Sequence, residues 1–258
     1  MASSSSRRIL VTNDDGVHSE GLLALAEALE SLGPVTVVAP LQEMSAVSHS
    51  ISLFRPIRYE AVAPDRYGVD GTPVDAVILA VNHLLSQKPS LVVSGINKGA
   101  NLGQNIFYSG TVGAAVEGTL HGIPSIAVSI CSKRDLRFDI ASAFAAKLAA
   151  WVLEEGLPPG VTLNANIPVD WSNGVRLTRC AHRSTRRLHL ENPDSQDPGS
   201  YWINERIDWS KLSADSDYAA IRDGHISITP LAFECADAPS LGSLERWIRS
   251  SGPPDRDC

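Results

Sequence analysis

A chain of 258 residues, 43% hydrophobic and 20% charged, suits one globular domain with room for a smaller appendage. Its formal net charge of -7 argues against a surface that wraps nucleic acid or lies on an anionic membrane. Cys131, Cys180, Cys235 and Cys258 are widely spaced with no CxxC pair, which excludes a zinc ribbon and a dense disulfide framework and fits a reducing compartment. The polar start, with Ser3 to Ser6 before Arg7 and Arg8, leads into no long apolar core, and no stretch reaches the ~18 apolar residues of a membrane span. We expect a cytoplasmic protein, with a short organelle-targeting segment at the Ser/Arg-rich start left open.

Residues 1–7 are expected to be a flexible tail. An apolar strand follows over 9–12 and stops abruptly in Asn13-Asp14-Asp15-Gly16. Leu22, Leu23, Ala26 and Leu29 repeat at helical spacing over 19–32, and Gly33-Pro34 ends that helix. The all-apolar run 35–39 reads as a strand buried on both faces. Residues 50–69 carry shorter runs with Arg55, Arg58 and Tyr59, the pattern of an antiparallel hairpin. Thr72-Pro73 opens a helix to about residue 85, with proline at an early position. A buried strand over 91–94 gives way to a polar, glycine-rich loop over 95–108. The segment 109–121 reads as a helix whose Gly113, Ala114 and Ala115 let it lie close to a sheet. A strand over 125–130, an amphipathic helix over 139–154 and a strand over 161–165 complete a βαβα rhythm, which predicts a mostly parallel sheet with helices on both faces.

From about residue 171 the rhythm changes. Extended segments are expected over 176–178, 201–207 and 225–229, the last ended by Pro230, around a loop with Pro193, Pro198 and Gly199. This stretch is too thin in periodic apolar residues for a core of its own, so it reads as an extension that packs on a neighbouring subunit. A short helix is expected over 241–248. No internal repeat is present.

In open parallel sheets, ligands gather beyond the carboxyl ends of the strands. Three polar loops meet that description: Asn13 to Gly16, the loop with Ser45, Ser48 and Ser50, and the run Gly95 to Asn101. By itself Asp14-Asp15-Gly16 reads as an ordinary solvated turn; where the carboxylates are partly buried they repel and lose solvation, and a divalent cation relieves both penalties. Carboxylates, hydroxyls and amide carbonyls are hard oxygen donors that suit Mg²⁺, Mn²⁺ or Ca²⁺. Tyr108-Ser109-Gly110-Thr111-Val112-Gly113 opens a helix, whose free N–H groups cradle a phosphate or are simply capped by Ser109. There is no Walker A motif and no GxGxxG; the glycines at 95, 99 and 103 are spaced by four. A P-loop ATPase and a dinucleotide oxidoreductase both lose weight.

Asn13-Asp14-Asp15-Gly16, Asp70-Gly71-Thr72-Pro73, Ser94 to Asn101 and Tyr108 to Ala115 together resemble the SurE family of metal-dependent 5′/3′-nucleotidases and acid phosphatases. Asn164-Ala165-Asn166-Ile167-Pro168, Thr178-Arg179 and Ser227-Ile228-Thr229-Pro230-Leu231 extend the resemblance across residues 8–231. It implies a Rossmann-like three-layer α/β/α domain. It also implies a C-terminal β-rich extension, about 171–231, exchanged between subunits of a homodimer or homotetramer, with 232–258 as a tail. One divalent cation per subunit, Mg²⁺ or Mn²⁺ with Ca²⁺ open, is implied on Asp14, Asp15, Ser45 and Asn97. Ser45 follows from aligning Met44 to Ser50 with the family's Ser-Gly-Ala-Ser segment, in which Ala46 replaces the usual glycine. Asn105 stands where many members carry Asp, and Ser52 where many carry Thr.

The expected reaction is hydrolysis of a nucleoside monophosphate or other small phosphomonoester by in-line attack of water, with no duplex nucleic acid and no membrane as partner. Asp14, Asp15 and Asn101 are the expected catalytic residues, and Asn101, Ser109, Gly110 and Thr111 would hold the phosphate. An aspartyl-phosphate on Asp14 is disfavoured, because that chemistry separates its two Asp by one residue. The general acid is open among His18, His49, His121 and His225. Lys98 and Arg179 read more simply as solvated cations, and Tyr201, Trp202 and Trp209 as core or interface rather than base-stacking platforms. The alternative is a non-catalytic metal and nucleotide sensor on the same fold.

Overall fold

The computed structural model describes residues 7–233, apart from 133, 135, 171, 194–196 and 198. The apolar run after Arg8 becomes strand β1 (Ile9–Thr12), buried at every position. Helix α1 (Glu20–Leu29) turns Leu22, Leu25, Ala26 and Leu29 inward and ends in one 3-10 turn, Glu30–Leu32. Strand β2 (Val35–Pro40) follows, and the expected hairpin is β3 (Tyr59–Ala63) against β4 (Arg66–Val69).

Helix α2 (Pro73–Leu79) starts in a capping box: Thr72 accepts from the Asp75 N–H at 3.0 Å, and Asp75 accepts from the Thr72 N–H at 2.9 Å. Its last turn relaxes into a π-helical segment, Ala80–Leu84, rather than continuing as α-helix to 85. Strand β5 (Leu91–Lys98) is longer than its apolar core, because pairing with β6 (Ser125–Ile130) resumes at Asn97 after an irregularity behind Ser94. Helices α3 (Gly110–Leu120) and α4 (Phe138–Glu155) and strand β7 (Val161–Ile167) agree with the periodic pattern.

Among the described residues, the main sheet runs β3-β4-β2-β1-β5-β6-β7-β11-β8, where β8 is Val175–Leu177 and β11 is Ile226–Ala232. Neighbours pair parallel except β3 with β4 and β11 with β7. α1 and α4 cover one face and α2 and α3 the other, giving a Rossmann-like α/β/α sandwich. β11 runs through Pro230, against the expectation that this residue ends it. β8 pairs only with Ile226 to Ile228, so beyond that point β11 has an open edge where a missing N–H is tolerated. Of the stretch 171–231, β8, α5 (Asp217–Arg222) and β11 are built onto the main body. Strands β9 (Arg186–Glu191) and β10 (Trp202–Ile207) form a separate two-stranded antiparallel sheet. The short helix expected over 241–248 lies outside the described residues. No described helix is long and apolar enough to cross a membrane.

Candidate active site

β1 is the point where the strand order reverses, with β2 on one side and β5 on the other. Its carboxyl end delivers Asp14 and Asp15 into the crevice that such a switch opens. Asn13 shapes the turn, donating through Nδ2 to Gly16 O at 3.1 Å and to Ser19 Oγ at 2.6 Å.

Asp14 is 5% exposed and packs against the first turn of α3. A Cβ at Gly110 would lie 2.8 Å from Asp14 Cβ and 3.1 Å from Pro73 Cγ, so only glycine admits this approach. The Thr111 hydroxyl donates to Asp14 Oδ1, and the Thr111 N–H adds a second bond. Burial pushes the Asp14 carboxyl up to about 6, the Asp15 charge adds to that rise, and the Thr111 bonds oppose it. Burial also raises Asp15, with Glu43 adding, while the Lys98 N–H at 3.3 Å and the Lys98 charge pull it down.

Asn97 precedes Lys98 on β5 and donates through Nδ2 to Gly99 O at 2.7 Å, which leaves its Oδ1 as an acceptor. The Ser45 loop is tied in from the β2 side, where the Met44 N–H donates to Asp14 O at 2.7 Å. Ser45 Oγ donates to Glu43 Oε1 at 2.6 Å. Ala46, in place of a usual glycine, adopts φ 58°, the left-handed region that glycine favours.

Asn101 belongs to a neighbouring buried network rather than to the contacts of Asp14. Its Nδ2 donates to Ser129 Oγ at 2.9 Å and its N–H to Asn166 Oδ1 at 2.8 Å. Asn164 and Asn166 donate to its carbonyl at 2.8 and 3.1 Å. Ser109 Oγ accepts from the Val112 N–H at 3.1 Å, an N-cap. Among the histidines, His49 and His121 are held by Glu117, and His225 lies 3.3 Å from an Arg176 nitrogen. His18 is exposed on the turn after Asp15. Arg179 is a surface cation paired with Asp215 at 3.4 Å.

The family model for survival protein SurE matches residues 9–187. The chain belongs to the SurE family. It is 46% identical to 5′-nucleotidase SurE of Geotalea uraniireducens (strain Rf4), over 93% of this chain and 98% of the relative. It is also 46% identical to 5′-nucleotidase SurE of Myxococcus xanthus (strain DK1622), over 93% of both chains. The crystal structure of the SurE protein from Aquifex aeolicus is similar at a TM-score of 0.84 and 38% identity, covering 93% of this chain and 99% of that one.

In this SurE chain the donor set fits a hard divalent cation. Two adjacent carboxylates are raised by burial, a penalty that a bound cation would remove, and Asn97 on β5 and Ser45 on the loop after β2 add an amide oxygen and a hydroxyl as further hard donors. Among the described residues no group of three or more His, Cys, Asp or Glu is placed to hold a metal ion. Sequence reasoning gave Thr111 to the phosphate and missed its bond to Asp14. It also missed Glu117, for which the i,i+4 spacing to His121 was a readable signal.

Proposed function

We propose that the chain is a divalent-cation-dependent 5′/3′-nucleotidase with acid phosphatase activity, which hydrolyses nucleoside monophosphates to nucleoside and phosphate. The observation that supports it most is the seating of Asp14 against the first turn of α3, with Asp15 beside it on the β5 side. Asp14, Asp15, Ser45 and Asn97 would hold one Mg²⁺ or Mn²⁺, Ca²⁺ being a third option. When bound, that ion neutralises the charge that builds on the phosphoryl group.

The residues of the chain do the rest. The Gly110 N–H, at the positive end of α3, meets the phosphate, with Ser109 capping the turn. Asn101 fixes the end of the β5 loop through its bonds to Ser129 and Asn166. The Thr111 hydroxyl orients Asp14. A water oxygen bonds to phosphorus as the ester P–O bond breaks, and Asp14 or Asp15 accepts its proton. The departing nucleoside oxygen takes a proton from His18, which, unlike His49, His121 and His225, forms no side-chain hydrogen bond or ion pair among the described residues.

The exposed hairpin supports a homo-oligomer in which β9 and β10 pack on a second copy. Leu190, Trp202 and Ile203 are 65%, 65% and 71% exposed, and a lone two-stranded sheet has too little core to stand unaided. The test of function is phosphate release from a panel of 5′- and 3′-nucleoside monophosphates with Mn²⁺ or Mg²⁺, with and without chelator. Release that the chelator abolishes, and that falls at least 100-fold in Asp14→Asn, is expected. Binding of nucleotide without release would make the chain a sensor instead.

A further inference from the structure

Glu117 lies two turns along α3 from Gly110 and is 9% exposed. Its carboxylate holds two imidazoles: Oε2 is 2.7 Å from His49 Nε2, and Oε1 is 3.2 Å from His121 Nε2. His121 belongs to the end of the same helix, but His49 belongs to the loop that carries Ser45. That loop lies directly on α3. A Cβ at Gly113 would come within 2.9 Å of Ser48 O and 3.3 Å of His49 Cα. Ser48 donates from its N–H to Tyr108 O at 3.0 Å and from Oγ to Phe107 O at 2.5 Å. The loop needs such holding, because Ala46 and Ser48 both sit at positive φ, 58° and 59°.

We propose that Glu117 is a positioning residue: by gripping His49 it clamps the 45–49 loop onto α3 and so sets Ser45 beside Asp14 and Asp15. This rests on the reading of Asp14, Asp15, Ser45 and Asn97 as cation ligands. The pair has little electrostatic competition. Of the elements packed on α3, α2 brings Asp75, whose oxygens are taken by Ser52 and Thr72, and β5 brings Lys98 at its far end. β6, β7 and the turn Gly103–Phe107 bring no charged side chain.

The experiment is calorimetric titration of the full chain with Mn²⁺ alone, at a single neutral pH, for wild type, Glu117→Gln, His49→Gln and His121→Gln. His49 is on an exposed loop, so its variant keeps the fold if Glu117→Gln does not. We expect Glu117→Gln and His49→Gln each to raise the Mn²⁺ Kd about 5- to 10-fold, as loss of one charge-assisted bond does. His121→Gln should change Kd less than twofold. Wild-type Mn²⁺ binding with unchanged Kd in both loop-clamp variants would overturn the positioning role alone. An equal loss in all three variants would overturn it too, since the effect would then come from the helix end. Absence of Mn²⁺ binding by wild type would overturn both this role and the proposed cation site.

Discussion

Asp14 is the residue at which function and stability pull apart. Burial raises its carboxyl from 3.8 to about 6, so the folded protein binds this proton more tightly than the unfolded chain does. The stability from this group is full below about pH 4 and is lost as pH rises through about 6, a difference on the order of 3 kcal/mol. Metal-free Asp14→Asn should therefore melt higher than metal-free wild type at pH 8, with the gap closing towards pH 4, while its nucleotidase activity is lost. Thermal unfolding in chelator across that range checks this; a variant that melts lower at pH 8 would contradict the burial argument. Ala46 offers a second residue-scale test. A left-handed φ costs an L-residue about 1 to 2 kcal/mol, against roughly 0.5 to 1 kcal/mol of extra chain entropy for glycine. Ala46→Gly should thus gain up to about 1 kcal/mol in denaturant unfolding, where most surface Ala→Gly changes lose. The position of the Asp14-Asp15 pair was readable in the sequence because an apolar run ended there. The partners of Asp14 were not, because Thr111 lies 97 residues further on.

At the scale of elements, α3 organises the crevice through small residues. Its pattern announced a helix, and Ser109 announced the cap, but no periodicity tells which strand end a glycine will touch. Gly110→Ala sets two effects against each other. Helix propensity favours alanine by about 0.5 to 1 kcal/mol, whereas a methyl group 2.8 Å from Asp14 Cβ overpacks a buried contact, typically by 1 to 3 kcal/mol. Overpacking should win: the variant is expected to be less stable by about 1 to 2 kcal/mol and to bind phosphate more weakly. Unchanged stability by urea unfolding would show that the contact is looser than described. β5 illustrates a different limit. Its glycines suggested a loop from residue 95, yet pairing with β6 resumes at Asn97 and carries Asn97 and Lys98 to the site as strand residues. A bulge is set by pairing across the sheet, which a single strand's sequence does not reveal.

The whole molecule follows from alternation of strands and helices, which was legible through residue 167 because buried parallel strands read as continuous apolar runs. The last third was harder: β8 and β11 enter the main sheet without a strong apolar pattern, and β11 tolerates Pro230 only because its outer neighbour is short. The β9-β10 sheet is anchored at its base by Glu205, which meets Arg186 at 3.0 Å and Asn105 at 3.0 Å, with the Arg186 guanidinium 5.1 Å from the centre of the Tyr108 ring. This links the hairpin to the loop just before α3, so a second copy seated on the hairpin would stiffen the N-terminal end of α3. Ile203→Asp with Trp202→Ser should shift the chain towards monomer in light scattering without lowering the melting temperature of the monomer by more than a few degrees. An unchanged oligomer would remove the hairpin from the interface.

One measurement bears most directly on the claim that oxygens from separate strand ends surround a single cation. A crystal soaked with Mn²⁺ and inorganic phosphate, recorded at the manganese absorption edge, should show one anomalous peak within about 2.0 to 2.6 Å of oxygens of Asp14, Asp15, Ser45 and Asn97, with phosphate between it and Gly110. A peak elsewhere, or none at saturating Mn²⁺, would contradict the account.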